Sequence, residues 1–399
     1  MTDDLTSVAP HVFRIELLPA AHGDCILLSY GLAQSPRFIL IDTGPIGTYP
    51  EVRSRLLELM PSSSRLELLV LSHIDSDHIE GAIKLLNDRD LKLTFSDIWF
   101  NGWRQLSQPI VGDRPFAGSA PMKRGPVQAE YVSVRLVDSE AAWNQRFGGR
   151  AVVVPDLGDL PRFAFEGGLT LTLLSPSAEK LKALRTEWSK AADRRRFEAG
   201  NVDEHRDKLG RDKRYRGRGT QGASTDQGLD RDVQTAVDNQ LDNAVANGSS
   251  IAFIAEFGDK RCAFLADAHM PLIERSLARL AAERGEKRLR LDAVKVSHHG
   301  SRGNTTTRFL DQIDCDTYLI STDGSRFGHP DDEAIERMLN RGAPETRLVF
   351  NYRSEQNAKW AGEEAQRERH YTAIYPRSDS GGVAVDLMDQ TAMSQEWAS

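Results

Sequence analysis

Apolar and polar residues alternate over residues 12–17, the period of a strand with one face buried. Apolar runs at 26–30 and 38–41 continue as strands, and the second stops at Asp42-Thr43-Gly44. Val52, Leu56, Leu57 and Met60 then recur at helical spacing. Residues 66–71 form an unbroken apolar run, the mark of a strand covered on both faces. It leads straight into His73-Ile74-Asp75-Ser76-Asp77-His78, after which Ile79, Ile83 and Leu86 restore the helical period. The polar cluster is therefore expected on a strand-to-helix loop at the carboxyl end of a buried strand, where open α/β sheets place their chemistry.

The middle of the chain is less regular. Residues 98–100 and 169–174 read as strands, and Leu181, Leu184 and Trp188 as one face of a helix. Over residues 194–218 ten lysines and arginines interleave with five acidic residues without apolar period, and 217–228 continue as a loop. Order returns at Ser250. Residues 251–257 and 262–265 flank a Gly258-Asp259 turn as a hairpin that ends at Asp267. A helix follows, with Pro271 in its first turn and Leu272, Ile273, Leu277 and Leu280 on one face. Residues 293–296 form another buried strand, ending at His298-His299-Gly300-Ser301, and later strands fall at 318–321, 347–352, 371–375 and 383–387. The pattern predicts an α/β fold of two sheets with helices outside. It is one domain over 1–399, interrupted by a charged, mobile insertion at 178–245.

Composition narrows the class. A hydrophobic fraction of 40% suffices for a sizeable core and excludes a disordered chain. A net charge of −7 excludes a basic nucleic-acid coat, so an anionic substrate must be drawn in locally. The three cysteines, Cys25, Cys262 and Cys315, are far apart and lack C-x-x-C spacing. That argues against a disulfide framework and a cysteine zinc site, and suits a reducing compartment. No run approaches the roughly 18 apolar residues of a membrane span, and the first ten residues lack a signal peptide's basic and apolar regions. The expectation is a cytoplasmic protein with no membrane contact.

Chemistry concentrates in few places. His73, Asp75, Asp77 and His78 offer two imidazoles and two carboxylates within six positions, and a tight loop can turn all four towards one divalent ion. Helix capping alone accounts poorly for four such groups. Asp267 and the His298-His299 pair also follow strands, so neighbouring strands would bring all of them to one sheet edge.

The order Asp42-Thr43-Gly44, His73-x-Asp75-x-Asp77-His78, Asp267, His298-His299-Gly300-Ser301 resembles the metallo-β-lactamase superfamily. With aspartate as the second residue of the main motif, it is most similar to the hydrolase domain of bacterial DNA-uptake competence proteins. His22-Gly23-Asp24, Asn247-Gly248-Ser249-Ser250 and Gly328-His329-Pro330 extend the match over about residues 12–352. The resemblance implies an αββα sandwich of two mixed sheets and two divalent metal ions, Zn²⁺ or Mn²⁺. It implies His73 and Asp75 at the first ion, Asp77 and His78 at the second, Asp267 bridging, and one of His298 and His299 completing the second site. Asp42 would orient a ligand from behind. The family's isolated histidine between the main motif and Asp267 has no clear counterpart. His205, inside the insertion, is a poor candidate; Asn247 and Asp242 are replacements to consider, with Asn247 behind the ligands.

The implied chemistry is metal-dependent hydrolysis, in which a hydroxide held between two ions attacks the substrate. His269 and His329 are candidates to donate a proton or touch substrate, although His269 reads slightly better as a surface residue of the following helix, and His329, between Gly328 and Pro330, reads equally well as part of a rigid loop. The leading substrate is a phosphodiester, with nucleic acid as the partner. Tyr215 among basic residues could follow a phosphate backbone, although the interleaved acidic residues make a solvated mobile loop the better reading of 194–218; Lys295, Arg302 and Arg326 stand nearer the expected site. Rival readings are hydrolysis of a small nucleotide, diester or lactone, and a non-catalytic binding protein on the same fold.

Overall fold

The computed structural model describes residues 10–60, 65–110, 126–215, 241–343 and 345–389. One sheet of seven strands runs in the order Val383–Asp386, His11–Leu17, Ile26–Leu32, Arg37–Ile41, Arg65–Val70, Thr94–Phe95, with Ile98–Trp99 also on Arg65–Val70. It is antiparallel up to Arg37–Ile41 and parallel beyond. The second sheet has eight strands: Tyr371–Ile374, Thr346–Phe350, Thr317–Ile320, Ala293–Lys295, Lys260–Phe264, Ala252–Phe257, Thr170–Ser175 and Arg162–Ala164. Its first five strands are parallel and the rest antiparallel.

Strand alternation decides what each face meets. Phe13, Ile15, Leu28, Tyr30, Ile39 and Val70 share one core with Leu171, Phe253, Phe264 and Leu319 of the opposite sheet. Leu27, Leu40 and Leu69 point the other way, into Val52, Leu56, Ile83, Val132 and Trp188 of the helices on that side. Helices Met270–Arg284, Thr307–Gln312 and Asp332–Arg341 flank the second sheet, and Ser276 Oγ donates to the Leu174 carbonyl at 2.6 Å. This is the αββα sandwich that the metallo-β-lactamase resemblance implies. Among the described residues no helix is long and apolar enough to cross a membrane.

The helix expected through Leu181, Leu184 and Trp188 is Ala178–Arg195, capped by Ser177, whose side chain accepts from the Lys180 N–H, and it buries all three. The segment expected as a charged loop after it is partly helical. Val202–Arg211 follows, capped by Asn201. Only His205 and Leu209 of that second helix are buried, too few for a visible apolar period. Residues 216–240, which include the remainder of the expected loop, lie outside the described residues. The structure also forms Pro126–Asp138 and Asp332–Arg341, which the pattern did not predict; the latter buries only Ala334, Ile335 and Met338.

Candidate metal centre

Both sheets turn their carboxyl ends to one edge. Asp42 ends Arg37–Ile41, and its N–H reaches the Val70 carbonyl at 2.8 Å, beside the start of the His73 loop. Asp267 follows Lys260–Phe264, and His298 and His299 follow the neighbouring parallel strand Ala293–Lys295. The sheets are joined here by the Ile251 N–H on the Ser72 carbonyl at 2.8 Å and Ser321 Oγ on the Gly23 carbonyl at 2.9 Å. A Cβ at Gly23 would stand 1.9 Å from the Asp77 carbonyl oxygen, so glycine alone lets the 22–24 turn lie against that loop.

Asp267 is the hub. Its Oδ1 lies 3.5 Å from His78 Nε2 and 3.8 Å from His299 Nε2. Its Oδ2 lies 3.8 Å from both His73 Nε2 and His298 Nε2. Asp75 Oδ2 is 3.7 Å from His73 Nε2, and ligand atoms of Asp77, His78 and His299 lie within 4.8 Å of one another. The Nε2 atoms of His73, His78 and His299 and Oδ1 of Asp267 are buried without a hydrogen-bond partner. Orphaned polar atoms are costly singly, and four converging on one point are the arrangement a cation resolves.

The other ring nitrogens fix the tautomers. His78 Nδ1 is 2.8 Å from Asp42 Oδ2, and His299 Nδ1 is 2.8 Å from the Ser321 carbonyl. Ser72 Oγ donates to Asp42 Oδ2 at 2.6 Å, so it can only accept from His73 Nδ1 at 3.0 Å. His298 Nδ1 faces Asp242 Oδ2 at 3.3 Å and Asn304 Oδ1 at 3.2 Å. Each acceptor places a proton on Nδ1 and leaves Nε2 turned to Asp267, the form a metal ligand needs.

Electrostatics point the same way. Burial, with the charge of His78 beside it, pushes His73 down to about 3. Burial also opposes charge on His298, yet Asp267 and Asp242 lift it to about 10; Asp267 and Asp42 likewise raise His78. Burial and then the Asp77 carboxylate push Asp75 up to about 7, although 36% of its side chain meets solvent. The carboxylates around Asp267 thus draw in positive charge, as protons or as a metal ion.

Other expected residues fall elsewhere. His269 is 6% exposed rather than a surface residue, and its Nε2 lies 2.9 Å from the Ala244 carbonyl. His329 is buried with Nε2 unpartnered, its ring 5.4 Å from that of His298 and its Nδ1 3.4 Å from Asp331. The amide of Asn247 donates to Asp242 Oδ2 at 2.8 Å, behind His298. Lys295 does not reach towards a substrate: it is fully buried, with Nζ 2.6 Å from Asp24 Oδ2. Tyr215 is buried with its hydroxyl on Glu80, while Arg206, Lys208 and Arg214 pair with neighbouring carboxylates, so these described groups do not form an open phosphate track. Arg326 sits at the rim, its Nη1 3.2 Å from His22 Nε2 and its guanidinium over the ring of Phe327, which is 44% exposed. Sequence reasoning missed the roles of Ser72, Lys295 and Asn304; their partners lie on other strands and loops, and no local spacing marks them.

No family model matches the chain. Over 124 residues it is 31% identical to the 3-isopropylmalate dehydratase small subunit of Salinispora tropica, which covers 31% of this chain and 58% of that protein. The chain thus spans little more than half of that relative. Zn²⁺-bound PqqB from Methylobacterium extorquens matches 94% of the chain and 100% of its own at 12% identity, TM-score 0.36. The metallo-β-lactamase fold protein YhfI from Bacillus subtilis covers 93% and 99% at 10% identity, TM-score 0.37. CmlA, a diiron β-hydroxylase from Streptomyces venezuelae, covers 95% and 54% at 10% identity, TM-score 0.36.

Proposed function

We propose that the chain is a metal-dependent hydrolase of phosphodiesters, with two divalent ions, Zn²⁺ or Mn²⁺, held around Asp267. The observation that carries the metal is the convergence of orphaned Nε2 and Oδ1 atoms on one buried point. Imidazoles and carboxylates without thiolates suit either ion. His73, Asp75, Asp77, His78, Asp267, His298 and His299 would hold the pair. Bound there, the ions would activate water and balance charge developing on the attacked group.

The chain's own groups do the rest. Asp42 and Ser72 keep His78 and His73 in the Nδ1–H form. His329 is the proton-handling group. Burial lowers its affinity for a proton, so it rests neutral, with Nδ1 towards Asp331 and Nε2 buried without a hydrogen-bond partner, the ring 5.4 Å from that of His298. It can take a proton at Nε2 and return it to a leaving oxygen, with Asp331 stabilising the charged ring between the two events. At the rim, Arg326, beside His22, adds positive charge and stacks over Phe327, which is 44% exposed; a cation paired with an exposed aromatic favours a nucleic-acid or nucleotide diester over a lactone.

Wild type and Asp267→Ala, each with Mn²⁺ or Zn²⁺, would be assayed on bis(p-nitrophenyl) phosphate and on single- and double-stranded DNA. Cleavage by wild type alone is expected. A wild type that binds metal yet hydrolyses only lactones or carboxylic esters would refute the phosphodiester assignment.

A further inference from the structure

The adjacent histidines His298 and His299 face different oxygens of Asp267. Both lie in the left-handed region, at φ 47° and 56°. In an extended strand neighbouring side chains point to opposite faces. Here they splay about one tight turn, their rings 5.9 Å apart at 69°, so both reach Asp267 from different sides. His299 Nε2 approaches Oδ1, the oxygen that also faces His78; His298 Nε2 approaches Oδ2, the oxygen that faces His73. These distances set His73 and His298 about one carboxylate oxygen and His78 and His299 about the other; Asp75 lies 3.7 Å from His73 on the first side, Asp77 clusters with His78 and His299 on the second, and His73 and His78 meet within 4.8 Å where the two sides adjoin.

Each half-site has its own backing carboxylate. Asp42 stands behind His78, and Asp24 Oδ1 lies 3.4 Å from His299 Nδ1, its other oxygen held by Lys295. Behind His298 stands Asp242. Asp242 Oδ2 gathers three groups: His298 Nδ1 at 3.3 Å, Asn247 Nδ2 at 2.8 Å and Asn304 Nδ2 at 3.2 Å. Asp242 Oδ1 takes the Ala244 N–H at 2.9 Å. That oxygen also lies 3.9 Å from His269 Nε2, and His298 Nδ1 has a second acceptor in Asn304 Oδ1 at 3.2 Å, which Asp242 itself holds.

We infer that His298 stands in for the isolated histidine that this sequence lacks, completing the His73–Asp75 metal position. Asp242, from within the 178–245 segment, is a positioning residue for that ring, both directly and through Asn304, which it holds in place. The inference rests on the two-metal reading above. It gives the segment a definite part in the site: its last residues set the affinity of one metal position and not the other.

The test titrates metal-free full-length protein with Co²⁺, following visible absorbance and calorimetric stoichiometry. Wild type is expected to take two equivalents. Asp242→Asn, which keeps an oxygen and the side chain's size, should hold one equivalent as wild type does and weaken the other about 10–100-fold, the usual cost of removing a ligand's backing group. His73→Ala/His298→Ala strikes one half-site twice and should retain one equivalent. His73→Ala/His299→Ala strikes both and should retain none. Two wild-type-like sites in Asp242→Asn, or equal loss in the two double variants with melting temperatures of their metal-free forms unchanged, would overturn the assignment. A wild type that takes no Co²⁺ would instead overturn the metal reading beneath it.

Discussion

Glu130 tests how the helices are laid on the first sheet. It lies on Pro126–Asp138 with only 1% of its surface exposed, and its Oε1 accepts from Trp188 Nε1 at 3.0 Å and from the Gly200 N–H at 2.9 Å. One oxygen thus ties that helix to Ala178–Arg195 and to the turn after it. Burial drives its carboxyl up from 4.5 to about 7, against the pull of the two hydrogen bonds. The native state therefore holds the proton over a window in which the unfolded chain has released it. Stability from this group is fully present below about pH 4.5 and is lost as pH rises through about 7. The loss amounts to about 3 kcal/mol. In Glu130→Gln the amide oxygen can accept both hydrogen bonds and carries no charge at any pH. The variant should match wild type near pH 4 and exceed it near pH 8 by up to about 3 kcal/mol, or roughly 4 °C in melting temperature for a chain of 399 residues. Thermal unfolding of both proteins across that range, in metal-free buffer, is the assay. A variant that tracks wild type at every pH, or is less stable at pH 8, would refute the burial of this carboxyl and the packing that causes it.

Loading with metal should release protons, because His78 and His298 hold theirs above their ordinary values in the metal-free protein. Apparent affinity should then rise with pH, by about tenfold per unit for each proton displaced, and calorimetry in buffers of different ionisation enthalpy would count them. Gly23→Ala should push the Asp77 backbone out of place and cost at least one metal equivalent, read by elemental analysis. Lys295→Met leaves Asp24 buried without its cation and should cost about 3–5 kcal/mol in denaturant unfolding, with Asp24→Asn added to it recovering part of the loss. His205→Ala, whose ring packs on Tyr131 and Phe197, should lower stability while leaving metal content unchanged; metal loss equal to that of His73→Ala would count against this placement.

The strand ends were legible because they announce themselves locally. An apolar run stops, and Asp42, His73, Asp267 or His298 begins within three residues of it. The helices were harder wherever only two or three apolar positions are buried, as in Val202–Arg211 and Asp332–Arg341. What stands behind the histidines was least legible of all. Asp24 and Lys295 meet across 271 positions, and the Ser72–Asp42 bond spans 30. A buried lysine reads in the sequence as a group for phosphate until the opposite sheet supplies its carboxylate. Tyr215 reads as a stacking platform until Glu80 claims its hydroxyl.

The backbone carries a further part of the design that residue types conceal. Asp42, Ala266, His298 and His299 all occupy positive φ, at 56°, 46°, 47° and 56°, and none is glycine. Each such residue costs of order 1 kcal/mol or more, and such strain persists only where surrounding contacts over-determine it. Those contacts are visible here. Asp42 is pinned by the Ser72 N–H and hydroxyl, His298 by its N–H on the Ala266 carbonyl at 2.8 Å, and His299 by Ser321. Glycine at any of the four would relieve the strain but remove the side chain or loosen the turn that aims its neighbours. The sandwich is thus regular up to the ends of its strands and strained in the residues that follow. There two adjacent histidines can face two oxygens of one carboxylate only because both leave the ordinary backbone regions together.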